Sequence, residues 1–195
     1  MSSLAELRSA AAHCKDCGLW EHATQVVFGE GPAHTPLMLM GEVPGDKEDK
    51  EGHVFVGPAG HLLDEALADA GIAREGVYLT NAVKHFKWVP ARGGKVRLHK
   101  TPNRAEVAAC SQWWEAEVAA VRPKVFGLLG SVAAQAVLGQ GFRVTKQRGE
   151  WFELPSGVWT TATIHPSAVL RSEERRADEY AGLVRDLKAM QARLD

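Results

Sequence analysis

Cysteine is scarce in this chain, three in 195 residues. An odd, small number argues against a disulfide framework and leaves buried thiols or a metal site as its uses. The amino-terminal stretch MSSLAELRSAAAHCKDCG lacks the basic start and apolar core of a secretory leader. A cytoplasmic protein with reduced thiols is therefore expected. Long hydrophobic runs are also missing: none approaches the ~20 residues of a membrane span, so no membrane partner is expected. Net charge is nearly absent, with 23 basic against 24 acidic residues. Internal repeats, low-complexity tracts and splitting linkers are lacking too. At this length the chain is expected to form one domain, residues 1–195. It is large enough to bury roughly 70% of its unfolded surface, and a monomer is the default.

One absence is local. Between Lys84 and Arg104 there is no acid, while Lys84, Lys87, Arg92, Lys95, Arg97, Lys100 and Arg104 fall in that interval. Its centre, GGKVRLHKTP, belongs to about fifteen residues of loop with no evident regular structure. A loop of that size in a compact domain is usually functional or disordered. Confined positive charge is what a phosphate-backbone contact needs, and Phe86, Trp88 and His99 add rings that stack on exposed bases. The plainer alternative is a solvated lysine-rich surface.

Four apolar runs read as buried strands: Leu37–Val43, Val77–Val83, Val125–Gly130 and Val158–Ile164. Helical stripes lie between them, one through Leu62, Leu63, Ala66, Leu67 and Ala70. Another runs through Val107, Cys110, Trp114, Val118 and Val121, behind a start signal at Thr101-Pro102-Asn103. SVAAQAVL and YAGLVRDLKAM supply two more. Alternating strands and helices predict an α/β fold: a three-layer α/β/α sandwich around a central four-stranded parallel sheet. Reactive groups in such folds gather beyond the carboxyl ends of the strands. Those ends carry Gly41 and Glu42, then Asn81, then His165, from three separate strands.

Cys14 and Cys17 form a C-x-x-C, and Cys110 lies on the apolar face of its helix. Three cysteines cannot fill a four-ligand site, and His85 in the basic segment is the candidate fourth ligand. By ligand type alone, structural zinc and an iron–sulfur group stay open. Each of these residues also has a bland reading: Cys110 as a small buried hydrophobe, Asn81 as a strand-end turn, Phe55 as core, Glu42 as a solvated acid. The run Asp46, Lys47, Glu48, Asp49 reads mostly as a solvated face.

Several separated stretches, GEVPGDKEDKEGHVFVGPAGHLLDEAL, LTNAVKHFK and TIHPSAVLR, resemble the motifs of family 4-type uracil-DNA glycosylases, in that family's order. The likeness runs from Cys14 to the last helix. Within the group it is closest to UdgX-type enzymes, through His85 in place of a third cysteine ligand and through the basic loop ending at His99. The resemblance implies a [4Fe-4S] cluster held by Cys14, Cys17, His85 and Cys110, structural in role. It also implies uracil-containing DNA as partner, with single strands preferred, and His99 becoming covalently attached to the abasic sugar. Two positions depart from the UdgX pattern. The loop reads Lys95-Val96-Arg97-Leu98-His99 with one positive charge fewer, and Val43 stands where glutamine is common.

Under this reading a nucleotide leaves the base stack and enters a pocket. Asn81 offers the uracil edge a donor and an acceptor, and Phe55 stacks on the base. His165 donates to a uracil oxygen as the base leaves with the bonding electrons, and Ser167 and Gly41 complete the base site. Glu42 stabilises the cationic sugar, activates water or orients His99. Lys95, Arg97, Lys100 and Arg171 contact DNA phosphates, and Gly57, Pro58 and Gly60 open a helix whose N–H groups face a phosphate. Two rival readings are a turnover glycosylase in which His99 only binds DNA, and a non-catalytic metal-supported nucleic-acid-binding module.

Overall fold

A computed structural model describes residues 3–94 and 96–194. Helix α1 (Leu4–Ala11) leads into β1 (Leu37–Gly41), followed by α2 (Asp46–Glu51), α3 (Pro58–Asp69) and β2 (Val77–Asn81). Two short strands follow, β3 (Trp88–Pro90) and β4 (Arg97–His99), then α4 (Arg104–Val121) and β5 (Val125–Leu129). The chain ends with α5 (Ser131–Leu138), α6 (Val144–Gln147), β6 (Trp151–Glu153), β7 (Trp159–Thr163), α7 (Pro166–Arg171) and α8 (Arg176–Ala192). No helix among the described residues is long and apolar enough to cross a membrane.

The main sheet runs β2-β1-β5-β7-β6. The four expected strands are parallel, and Gly41 is in register with Asn81. Every residue of β1, β2 and β5 is buried, as a parallel sheet covered on both faces requires. Side chains alternate between two cores. Leu37 and Leu39 pack with α3, α7 and α8, whereas Met38 and Met40 pack with Trp114 of α4 and Ala133 and Ala134 of α5.

Two features correct the expected sheet and loop. A fifth strand, β6, joins as an antiparallel edge on β7. The basic loop is folded as well: β3 and β4 form an antiparallel hairpin in which Trp88 faces His99. Helix α4 starts where Thr101-Pro102-Asn103 placed it, through a capping box. The Asn103 side chain accepts from the Glu106 N–H at 2.9 Å, and Glu106 accepts from the Asn103 N–H at 2.7 Å.

Candidate active site

The chain leaves β1 towards β2 on one side and later returns to β5 on the other. The carboxyl edge of β1 is therefore a topological switch point, where open α/β sheets hold ligands. A cavity of about 490 Å³ opens there, within the size range of small-molecule sites. Phe55, Asn81, His99, His165, Ser167 and Arg171 all line it. Residues from the strand ends, the hairpin and the loops thus meet in one place.

The floor is built around Gly41. A Cβ there would lie 2.5 Å from Asn81 Oδ1, 2.7 Å from Phe55 Cζ and 3.4 Å from His165 Nε2. Only a residue without a side chain lets these three groups close in together. The parallel register continues past the strands, with the Ala82 N–H donating to Gly41 O and the Val83 N–H to Glu42 O. Phe55 and His165 rings stack, their centroids 6.3 Å apart.

The tautomer of His165 follows from its neighbours. Its Nδ1 accepts from the Ser167 backbone N–H at 3.1 Å and lies 2.8 Å from the Ser167 hydroxyl. With Nδ1 the acceptor, a neutral ring carries its proton on Nε2, the atom facing Gly41. Burial, then Arg171 and His99, hold this imidazole down to about 4. It is therefore a neutral donor at physiological pH, suited to an oxygen that gains negative charge without first surrendering a proton. Ser167, expected to touch the base, serves first as the residue that orients His165.

The same shift makes a stability prediction. Between about pH 4 and 6.5 the unfolded histidine binds more protons than the folded one, so stability rises with pH across that window. Urea unfolding is expected to show a lower midpoint at pH 4.5 than at pH 7. The gap should shrink in His165→Gln; an undiminished gap would show that other groups carry it.

Glu42 stands beside the cavity and does not line it. Burial raises its carboxyl above the usual range, against the pull of Thr101 and Arg171. Its Oε1 is enclosed without a hydrogen-bond partner among the described residues. Buried acceptors seldom stay unpaired, and this one marks the carboxylate as available to a ligand. His99, exposed on the rim, is shifted below its usual value by burial and by Arg171, with Glu48 opposing. Burial thus favours the uncharged form of both groups.

Three basic residues are not free for phosphate. Lys84 is buried and paired with Glu117, and Lys87 pairs with Glu106 at 2.8 Å. Arg97, expected to grip DNA, instead bonds Asp46 through Nε at 2.5 Å and Asp49 through Nη1 at 2.6 Å. Its guanidinium also lies over the rings of Phe86 and Trp88. Arg97 therefore fastens the hairpin to α2. Lys100 is exposed and Arg171 lines the pocket; Lys95 lies outside the described residues.

The charge run on α2 is likewise not a solvated face. Asp49 is fully buried and also accepts from Thr24 N–H and Oγ1. Glu48 accepts from Gly45 N–H at 3.1 Å and Gly57 N–H at 2.7 Å, tying two pocket loops together. That carboxylate occupies the Gly57 N–H, which is therefore not free for a phosphate at the entry to α3. The Gly45-x-x-Glu48 spacing of a capping box was the available signal.

Arg97→Ala removes two charge-assisted bonds and strands Asp49 in the interior. A loss of about 3 kcal/mol is expected, at the low end for a broken buried pair because Thr24 still serves Asp49. Limited proteolysis should then cut within residues 88–99, and an uncut hairpin would refute the anchor.

Behind Val43, which lines the pocket, two of the thiols pack together. Cys110 packs with Leu19, Val43 and Val83, and Cys17 lies against that group. Val43 thus supplies packing between pocket and thiols in place of a polar contact. Trp113 Nε1 donates to Cys14 Sγ at 3.2 Å and the Lys84 N–H to Cys110 Sγ at 3.3 Å. Burial pushes the Cys110 thiol up to about 11. Among the described residues no three His, Cys, Asp or Glu side chains are set to hold a single metal ion. A cluster with iron at several corners spaces its ligands more widely, and N–H donors aimed at sulfur suit it. His85, buried, follows Lys84 directly.

Fold and site together define an α/β protein with a polar-edged, ring-walled pocket at the switch point of a parallel sheet. Residues 28–188 match the model of the uracil DNA glycosylase superfamily. The chain is 38% identical over 172 residues to a Type-4 uracil-DNA glycosylase of Thermotoga maritima, covering 88% of this chain and 83% of that one. It is 32% identical over 184 residues to the Type-4 uracil-DNA glycosylase of Sulfurisphaera tokodaii, covering 90% and 80%. The chain belongs to the uracil-DNA glycosylase superfamily.

Proposed function

We propose that this chain excises uracil from DNA and is then captured on the abasic sugar by His99. The observation that carries the second half is the anchored hairpin: Arg97, held by Asp46 and Asp49, fixes the strand that ends in His99 at the pocket rim. Asn81 pairs with the uracil edge and Phe55 covers its face. As the C1′–N1 bond breaks, both electrons leave with the base, and the Nε2–H of His165 stabilises the charge on the uracil oxygen. Glu42, beside the cavity, stabilises the cationic sugar through its charge. A neutral ring nitrogen of His99 then bonds to C1′, held close enough to outcompete water. The ring's other nitrogen gives up its proton, the uracil anion takes one up, and charge balances. An alkylated imidazole is a poor leaving group, so each molecule acts once.

Cys14, Cys17, Cys110 and His85 would hold a [4Fe-4S] cluster, which when bound braces the segment between β2 and α4. We further propose single-stranded uracil DNA as the preferred substrate and a monomer, acting in the cytoplasm, as the working unit.

The test mixes protein with uracil-containing and thymine-containing oligonucleotides, heats in SDS and resolves the products on a denaturing gel. A heat-resistant shifted band with uracil DNA alone is the expected result. Alkali-labile sites without a shift would make the protein a turnover glycosylase. Neither product, from cluster-loaded protein, would leave a nucleic-acid-binding module.

A further inference from the structure

Behind the pocket lies a closed network of buried polar groups. Lys84 and Glu117 are 1% and 0% exposed, with Nζ 2.6 Å from Oε2. Lys84 Nζ also donates to Thr80 Oγ1 at 2.5 Å and to the Asn81 carbonyl at 3.0 Å. Glu117 accepts in addition from Thr80 Oγ1 at 2.8 Å, the Gly29 N–H at 2.9 Å and Tyr78 OH at 3.2 Å. All three ammonium hydrogens and both carboxylate oxygens are thus used.

Stability alone does not account for a pair of this kind. Two charges have been taken out of water, and apolar residues of similar volume commonly fill such a space as well or better. The partners explain it better. Tyr78, Thr80 and Asn81 all belong to β2, and Lys84 bonds the carbonyl of the strand's last residue. That residue carries the side-chain amide at the pocket floor.

We propose that the Lys84–Glu117 pair is a positioning device for base reading. It fixes the Asn81 carbonyl and so aims the Asn81 amide. The inference rests on Asn81 reading the base. Uracil and cytosine differ in which edge atoms donate and accept, so an amide free to swing loses discrimination as well as rate. Lys84 and Glu117 touch no substrate and act through Asn81.

The test uses Lys84→Met/Glu117→Gln in the full-length, cluster-loaded protein. The Glu117→Gln half keeps an acceptor for Gly29 and Tyr78 and supplies a donor for Thr80. No charge is left unpaired; the Asn81 carbonyl loses its hold and the Thr80 hydroxyl loses its acceptor. Two quantities are read in protein shown to be folded by its unfolding transition. One is single-turnover base release from uracil and from cytosine DNA. The other is amide exchange by mass spectrometry of residues 79–84 against the control segment 125–129. Expected are a tenfold or greater fall in uracil release, a narrower preference for uracil over cytosine, and faster exchange confined to 79–84. Either quantity unchanged in the folded variant overturns the proposal. If the double variant does not fold, Thr80→Val is read the same way, with a fall of about threefold expected. A wild-type protein that releases no uracil would sink the glycosylase reading instead, and exchange alone then decides whether the pair holds Asn81.

Discussion

His99→Ala is expected to abolish the heat-resistant protein–DNA band while uracil release continues, slowed by no more than about tenfold. The two outcomes separate because the groups are separate. In the proposed reaction, base reading and leaving-group stabilisation belong to Asn81, Phe55 and His165, which group around Gly41 on the pocket floor. His99 stands on the rim, on a different element, with its ring 6.2 Å from that of Phe86. Removing it withdraws the nucleophile and leaves space for water, and Glu42 remains to assist that water. Repeated turnover should appear where the proposed capture stops the parent chain after one event, read as uracil released per protein molecule over time. A variant that still forms the band would place the bond on another residue. A variant that releases no uracil at all would make His99 essential to bond cleavage itself.

Gly41→Ala is expected to cost a hundredfold or more in uracil release, with a far smaller effect on folding. One methyl group at this point must displace Asn81 Oδ1, Phe55 Cζ or both, from starting separations of 2.5 and 2.7 Å. Reacting groups displaced by about 1 Å routinely lose two orders of magnitude in rate. Backbone freedom is not at issue, because Gly41 lies in a regular strand in register with Asn81. Single-turnover release measured beside the unfolding midpoint distinguishes the two effects. Near-parental release would mean the floor yields and the base does not approach Gly41. The same substitution should also lower the yield of the His99 adduct, since the sugar becomes reactive only when the base departs.

Much of this was legible in the residues. The four parallel strands and helices α3, α4, α5 and α8 stand where the apolar runs and stripes put them, because both faces of the sheet are buried. The rule about strand ends pointed to Glu42, Asn81 and His165; Asn81 and His165 line the cavity, and Glu42 stands beside it. The antiparallel β6 escaped notice because three residues on a sheet edge, Trp151, Phe152 and Glu153, carry too short a pattern to stand out. Arg97 was misjudged for a deeper reason. Its partners Asp46 and Asp49 are about fifty positions away, and no local pattern distinguishes an arginine held by acids from one awaiting phosphate. The acid-free stretch and the acidic α2 are complementary halves of one attachment, visible only once the chain has folded.

Phe55 is one of three non-glycine residues described with a positive φ, at 54°. Its carbonyl is pressed against Gly60 so closely that no side chain fits there, which locks the turn. A phenylalanine in the left-handed region stores strain that a glycine would not. Burial of the ring in the core offsets that strain. Phe55→Gly would relieve the backbone but lose more in ring burial, so the variant is expected to melt lower and to leave a gap in the pocket floor. At position 55 the core and the pocket wall are one and the same side chain.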